Sequence, residues 1–414
     1  MRISPADLRQ RLLPIVLAQA TGLACGIAGV KLTSRLVAPE DYGTYGIFVS
    51  LASVGAGVIY AGMVKYVSRH WQDAPDRPAL ARAILAGTLR KTPWLLGAVV
   101  AATLLAAPGQ KFAYGTLLFA SALFLTLLQL AQSALQAARE NWRDCGISAG
   151  VSVARSFGPP LLYAATGAGR LALLAGFALQ ALLGALLGGW NMRRWRPRAA
   201  GPAPARAIDP FYEGPRLVTL ALAAWVLAGL NRWLVAWFFG AEVAGHFTLA
   251  SNIGAIVPTM LGMVIMQYAQ PHWFAADIGS REARLRLFRD VDRVALAYTA
   301  GAVALLVLLQ LAMPRLIGVL VDERYAFATH FVLVTGCSTT ALTIGMYYHT
   351  LLFAAKRERA CTLTDLSGAA GTIAGGLVTA AAGLAWFRGW LILSLLVPWL
   401  VNRTLARRAV LAPG

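Results

Sequence analysis

Twelve apolar runs, each long enough to approach or exceed one membrane crossing, follow one another along this chain of 414 residues. They fall at 12–31, 42–64, 92–107, 112–136, 146–165, 170–190, 215–238, 245–268, 292–312, 327–353, 361–385 and 389–406. A bilayer core about 30 Å thick needs about 20 mostly apolar residues per helical span. Twelve spans with short connections use nearly the whole chain and leave no room for a separate soluble domain.

Composition agrees. Hydrophobic residues make up 58% and charged residues only 13%, where a soluble domain carries about a quarter charged. Mean hydropathy is +0.62. The formal net charge of +19 could signal nucleic acid, but the basic residues lie in the gaps between apolar runs, so no nucleic-acid partner is expected. Cys25, Cys145, Cys337 and Cys361 sit in or beside apolar runs without a CxxC pair and read as structural thiols. Arg2, Arg9 and Arg11 before an apolar stretch imitate a signal peptide; with eleven more runs behind it, that stretch reads as a retained first span.

Lysine and arginine test the span count. With the N-terminus on the cytoplasmic side, and residues within a few positions of a span end counted with the adjoining segment, 28 of the 37 fall in inside segments and seven outside: Lys31, Arg35, Lys111, Arg170, Arg315, Arg324 and Arg388. Arg155 and Arg232 fall within spans. This alternation is what positive-inside insertion produces. It predicts a multi-pass protein of the bacterial inner membrane with both termini cytoplasmic.

The Pro-, Ala- and Arg-rich stretch 191–214 is the one obvious linker, and it divides the chain at its midpoint. Across it, at an offset of 202 residues, 38–71 aligns with 240–273. Glu40/Glu242, Gly43/Gly245, Tyr66/Tyr268, His70/His272 and Trp71/Trp273 are identical. An even number of spans per half makes this a parallel repeat, and in such folds sites lie between the halves. The expected architecture is all-α: two six-helix bundles, residues 1–200 and 201–414, around a central cavity.

Several spans carry polar or small residues at helical spacing: Gln19, Gly22, Gly26, Gly29 and Thr33; Gly46, Ser50, Ser53, Gly57 and Tyr60; Gln129, Gln132 and Gln136; Thr335, Thr339, Thr343 and Tyr347. Such stripes avoid lipid and serve either close helix packing or a wet cavity. Arg155 is more informative. It lies ten residues into its span, before the helix-breaking Gly158-Pro159-Pro160. A central arginine costs about 2.5–3.5 kcal/mol on insertion scales, which a partner, a wet cavity or an anion must offset; a structural hydrogen-bonding role is the alternative to a cavity role. Arg232, six residues from the outer end of span seven, corresponds by the repeat to Val30, beside Lys31, with Arg35 one turn beyond. The four cations Arg155, Arg232, Lys31 and Arg35 are therefore the expected substrate-binding set, with snorkelling as the alternative for the last three.

Asp365 is expected to be a first-turn acid facing its helix dipole, with an ion-coupling site as the alternative. The five histidines have no HExxH spacing, so no metal is expected. Gly146-Ile147-Ser148-Ala149-Gly150 spells a nucleophile elbow but begins a membrane helix, and no P-loop motif exists. No catalytic residue and no cofactor is assigned.

Three stretches resemble one family. RLVAPEDYGTYGIFVSLASVGAGVIYAGM, LNRWLVAWFFGAEVAGHFTLASNIG and PRLIGVLVDERYAFATHFVLV are similar to bacterial polysaccharide exporters and O-antigen flippases of the multidrug/oligosaccharidyl-lipid/polysaccharide (MOP) exporter superfamily. The resemblance implies a V-shaped pair of six-helix bundles. It implies export of an undecaprenyl-pyrophosphate-linked oligosaccharide, an O-antigen (lipopolysaccharide) or exopolysaccharide unit, alongside other polysaccharide-assembly proteins in a lipid bilayer. Arg155 and Arg232 fall where that family's cavity cations are expected. One departure is Asn231, where relatives often carry an acid; its absence removes a possible salt bridge to Arg232. A drug or cation exporter of the same superfamily would want carboxylates in the cavity. A membrane polymerase or ligase would want a large outer loop. A major-facilitator carrier would want its glycine-and-basic signature between spans two and three, absent from KYVSRHWQDAPDRPALARA.

Overall fold

The computed structural model describes residues 13–70, 77–106, 111–138, 140–193, 214–274, 276, 278–355 and 357–411. Arg2, Arg9, Arg11 and linker residues 194–213 lie outside the described residues. Every regular element described is helical, as hydrocarbon demands: it offers no water to backbone N–H and C=O groups, so each segment must satisfy its own. The helices are α1 (Leu13–Leu36), α2 (Pro39–His70), α3 (Arg77–Ala106), α4 (Lys111–Ala137), α5 (Asn141–Thr166), α6 (Arg170–Arg193), α7 (Gly214–Gly254), α8 (Ile256–Phe274), α9 (Arg281–Leu320), α10 (Thr329–Ala354), α11 (Glu358–Ala382), α12 (Leu384–Leu393) and α13 (Arg403–Leu411). A short 3-10 helix, Glu323–Ala328, precedes α10, and a π turn, Pro398–Asn402, joins α12 to α13.

The sequence-expected spans map onto these helices in order, with three local differences. Span seven and the first part of span eight run together in α7, broken only at Gly240, whose φ of 89° and ψ of 168° belong to a region that only glycine enters readily, and the rest of span eight is α8. Span twelve is divided by the π turn. The break expected at Pro159-Pro160 is absent: α5 continues to Thr166. Without N–H groups, Pro159 and Pro160 leave the carbonyls of Arg155 and Ser156 without their i+4 donors. Gly176 of α6 makes room, since a Cβ there would stand 2.5 Å from Pro159 Cα. By length and composition, seven segments of the described chain could cross a membrane; α2, α3, α5, α8 and α11 are not among them, and α5 is diluted by the polar face described below.

Packing divides the chain into two compact units, Met1–Leu32 with Ile47–Leu222, and Thr33–Gly46 with Ala223–Gly414. In the first, Phe48 meets Tyr114 and Phe177 edge-on. Small residues let backbones approach: a Cβ on Gly29 of α1 would stand 2.7 Å from Ser156 Cβ of α5, and one on Gly188 of α6 would stand 2.5 Å from Ala131 Cβ of α4.

In the second unit, the α1–α2 turn is clasped by the middle of α7 and by the loop before α10. A Cβ on Gly43 would strike the carbonyl of Ala241, and one on Gly245 would strike the carbonyl of Pro39. Pro39 and Ala241, like Gly43 and Gly245, are equivalent under the 202-residue repeat. The contact is reciprocal, as a local two-fold requires. Asn252 Nδ2 donates to Tyr42 Oη at 2.7 Å, Tyr325 Oη donates to the Val37 carbonyl at 3.2 Å, and Arg324 Nη2 donates to the Ser34 carbonyl at 3.1 Å. The threonine stripe of α10 is packing glue: Thr335 Oγ1 donates to the Ala250 carbonyl at 3.2 Å, and Thr343 fills the space above Gly262, whose Cβ would stand 2.5 Å away.

Candidate functional site

The first unit carries one continuous polar file. Helices α4 and α5 are antiparallel and joined by a short turn, so side chains pair across them in order. Gln136 Nε2 donates to Asp144 Oδ2 at 3.0 Å, and one turn further Gln132 Nε2 donates to Ser148 Oγ at 3.1 Å. Gln129 is exposed. At about 100° per residue, Asp144, Ser148, Ser152 and Arg155 occupy one face of α5. Ser152 faces Gly22 of α1, with 3.7 Å from its Oγ to where a Cβ would be.

Arg155 therefore stands in mid-helix on the polar side, opposite the exposed apolar Val153 and Leu161. It is exposed, and among the described residues no hydrogen bond or ion pair engages it. Asp144, eleven residues away, is about 16 Å along the helix axis and occupied with Gln136. The site has a fixed, exposed charge and a nearby carbonyl relieved of its helical donor. That combination suits an anion carrying hydroxyl groups.

The other three sequence-chosen cations are placed differently. Lys31, half-buried, lies on α1 about 180° from the face bearing Gly22 and Gly29, so it does not converge with Arg155. Arg35 is exposed at the end of α1 and belongs to the second unit. Its carbonyl accepts from Arg324 Nη2 at 2.5 Å. Arg324 also pairs with Asp322 at 3.0 Å. The Arg324 backbone N–H, then its guanidinium, hold the Asp322 carboxyl below the usual carboxylate range, with a smaller contribution from Arg35. Arg232 is half-buried on α7, one residue beyond Asn231.

Asn231 lines a cavity of about 50 Å³ inside the second unit with Ser338, Thr372, Ser394 and Asn402. Asn231 is 6% and Asn402 8% exposed, and the Oδ1 of each lacks a hydrogen-bond partner. That volume admits a few waters and no sugar. The expectation for Asp365 is corrected. It is the eighth residue of α11, beyond the first turn, and its Oδ2 lies 3.0 Å from His349 Nδ1 of α10, so a histidine rather than the helix dipole is its partner. Among the described residues no group of three His, Cys, Asp or Glu could hold a metal.

Sequence reasoning found the glutamine stripe but not its partners. The signal was available in the antiparallel α4–α5 register, where position numbers of paired residues sum to a constant. It missed the Asp322–Arg324 clasp, whose spacing looks like any polar loop.

Comparison with known proteins bears on the family and the fold. A family model described as "Polysaccharide biosynthesis protein" matches residues 32–321. No curated protein sequence matches the chain. Among solved structures, the MATE multidrug transporter DinF-BH, solved as a complex, is similar at a TM-score of 0.68 and 16% identity, covering 98% of this chain and 96% of that one. A multidrug resistance MATE family transporter of the MOP superfamily is similar in its outward-facing form, with a TM-score of 0.62, 15% identity and coverage of 98% and 95%. The inward-facing form gives a TM-score of 0.60, 15% identity and coverage of 95% and 93%. At such identities the likeness concerns the fold. This all-helical, multi-pass membrane chain thus has the fold of the MATE transporters of the MOP superfamily, and it belongs to the polysaccharide biosynthesis protein family.

Proposed function

We propose that the chain is a flippase that moves an undecaprenyl-pyrophosphate-linked oligosaccharide, an O-antigen or exopolysaccharide repeat unit, across the bacterial inner membrane by alternating access. The observation that carries the reading is Arg155, an exposed guanidinium in mid-helix on a polar face, unengaged among the described residues. The physical task matches it. A glycan head group cannot enter hydrocarbon, while its lipid tail can remain there, so the carrier needs only a wet path and cations for the phosphates. Family membership supplies the polysaccharide context, and the fold favours a transporter over an enzyme. Arg155 is assigned to the pyrophosphate, and Arg232 is tested beside it as the other cation that the sequence places within a span.

A drug or cation exporter is the second reading, favoured by the MATE neighbours. The acids that would serve it are occupied here, Asp144 by Gln136 and Asp365 by His349. The test is Arg155→Ala with Arg232→Ala in the living cell, following surface polysaccharide at matched protein levels. Loss of export is expected. Normal export in the double variant overturns the anion site, and drug hypersensitivity with intact polysaccharide would favour the second reading.

A further inference from the structure

Helix α9 is 40 residues long, about 60 Å, whereas a bilayer core takes about half of that. Its first turns must therefore project beyond the hydrocarbon. They are fixed there: Ser280 Oγ caps the helix by accepting from the Ala283 N–H at 3.0 Å, and Arg284 Nε donates to the Val410 carbonyl of α13 at 3.0 Å. One face of this projection is core, burying Leu287, Phe288 and Val291, and the same face continues inward as Ala295, Tyr298 and Ala302.

The opposite face changes character along its length. Leu296, Leu308 and Leu311 are 62%, 61% and 71% exposed, as side chains that meet lipid should be. Traced back at about 100° per residue, the strip holding Leu296, Ala300, Val307 and Leu311 continues as Arg293, Arg289 and Arg286, all three exposed. Among the described residues none of these arginines has a hydrogen bond or ion pair. The acids nearby do not engage them. Asp292 is held by Arg403, with Nε 2.6 Å from Oδ1 and Nη2 2.9 Å from Oδ2, and Glu282 and Asp290 are exposed without an ion pair.

We propose that Arg286, Arg289 and Arg293 form a binding site for the phosphate head group of an anionic phospholipid, whose acyl chains lie along the Leu296–Leu311 strip. Three guanidiniums at i, i+3 and i+7 on the lipid-facing side of a rigid helix offer forked donors at head-group height. Basic clusters at the end of a span attract anionic lipid. The expected leaflet is the cytoplasmic one. The site does not depend on which cargo the protein moves.

The test uses the intact protein in detergent, with its thermal midpoint followed on adding phosphatidylglycerol or phosphatidylcholine of identical chains. Phosphatidylglycerol alone is expected to raise the midpoint by a few degrees, and Arg286→Gln/Arg289→Gln/Arg293→Gln to abolish most of that rise. Arg281→Gln/Arg408→Gln, two exposed arginines off the strip, should keep it. If the triple variant does not fold, the single Arg289→Gln serves, with an expected weakening of about five-fold in lipid affinity. A full rise in the variant, an equal rise with phosphatidylcholine, or the same rise with inorganic phosphate would each overturn the proposal.

Discussion

The clasp around the α1–α2 turn and the polar file of α4 and α5 are built on opposite terms. In the clasp, glycines bring backbones into contact and each named polar group has a named partner: Tyr42 with Asn252, Tyr325 with Val37, Arg324 with Ser34 and Asp322. In the file, partners are provided for Asp144 and Ser148 and then run out, leaving Arg155 exposed and unengaged. All three stretches that resemble polysaccharide exporters contribute to the clasp. The family pattern therefore encodes how the chain packs, while the charge assigned to cargo in the first unit lies outside it. A motif can identify a fold without touching its ligand.

The comparison breaks most visibly at Gly245. Gly245→Ala drives a methyl group into the Pro39 carbonyl, and neither backbone can step aside cheaply. The expected cost is about 3 kcal/mol, the upper end for overpacking, seen as a lowered thermal midpoint or loss of folded protein in detergent. An unchanged midpoint would mean that the reciprocal contact is not tight. Gly57→Ala in α2, where a Cβ meets nothing within 4 Å, is the control that should keep the midpoint.

Arg155→Gln should do the reverse, leaving the midpoint within error while export falls about ten-fold or more, the worth of a charge-assisted hydrogen bond. A drop in stability without a drop in export would show Arg155 to be structural. Arg155→Lys keeps the charge but loses the planar fork, so intermediate export is expected. Tyr42→Phe removes the acceptor of the Asn252 amide and should cost about 1 kcal/mol, read in the same melting experiment.

The smallest effect belongs to Asp322, at the exposed rim of the clasp. Its carboxyl titrates lower in the folded protein than in the unfolded chain, so any stabilisation is present above the unfolded value and fades as pH falls through the folded one. Asp322→Asn should flatten that acid-side slope slightly and leave neutral-pH melting unchanged. A pronounced loss at neutral pH would mean the clasp leans on this ion pair more than an exposed pair allows.

Much of this was legible in the sequence because the bilayer allows few solutions. Span length, alternating basic loops and the Gly43/Gly245 repeat each follow from a single strong constraint. The place of Arg155 in the middle of a helix was legible for the same reason. Side-chain pairing was not. Asp365 looked like a dipole acid because its partner, His349, lies on another helix, and a span boundary does not reveal which faces meet. The Pro159-Pro160 pair suggested a break because local propensity favours one. Gly176 on α6 provides the space that lets α5 continue, and that compensation appears only once α5 and α6 are packed.

Gly240 carries a last consequence. No atom would obstruct a side chain there, since a Cβ at that point meets nothing within 4 Å, yet the backbone angles exclude every L-residue from comfort. A saturation screen of this protein would score position 240 as intolerant and tempt its reader to draw a ligand beside it. The intolerance would record chirality, and only a residue of the opposite hand at that site would tell the two apart.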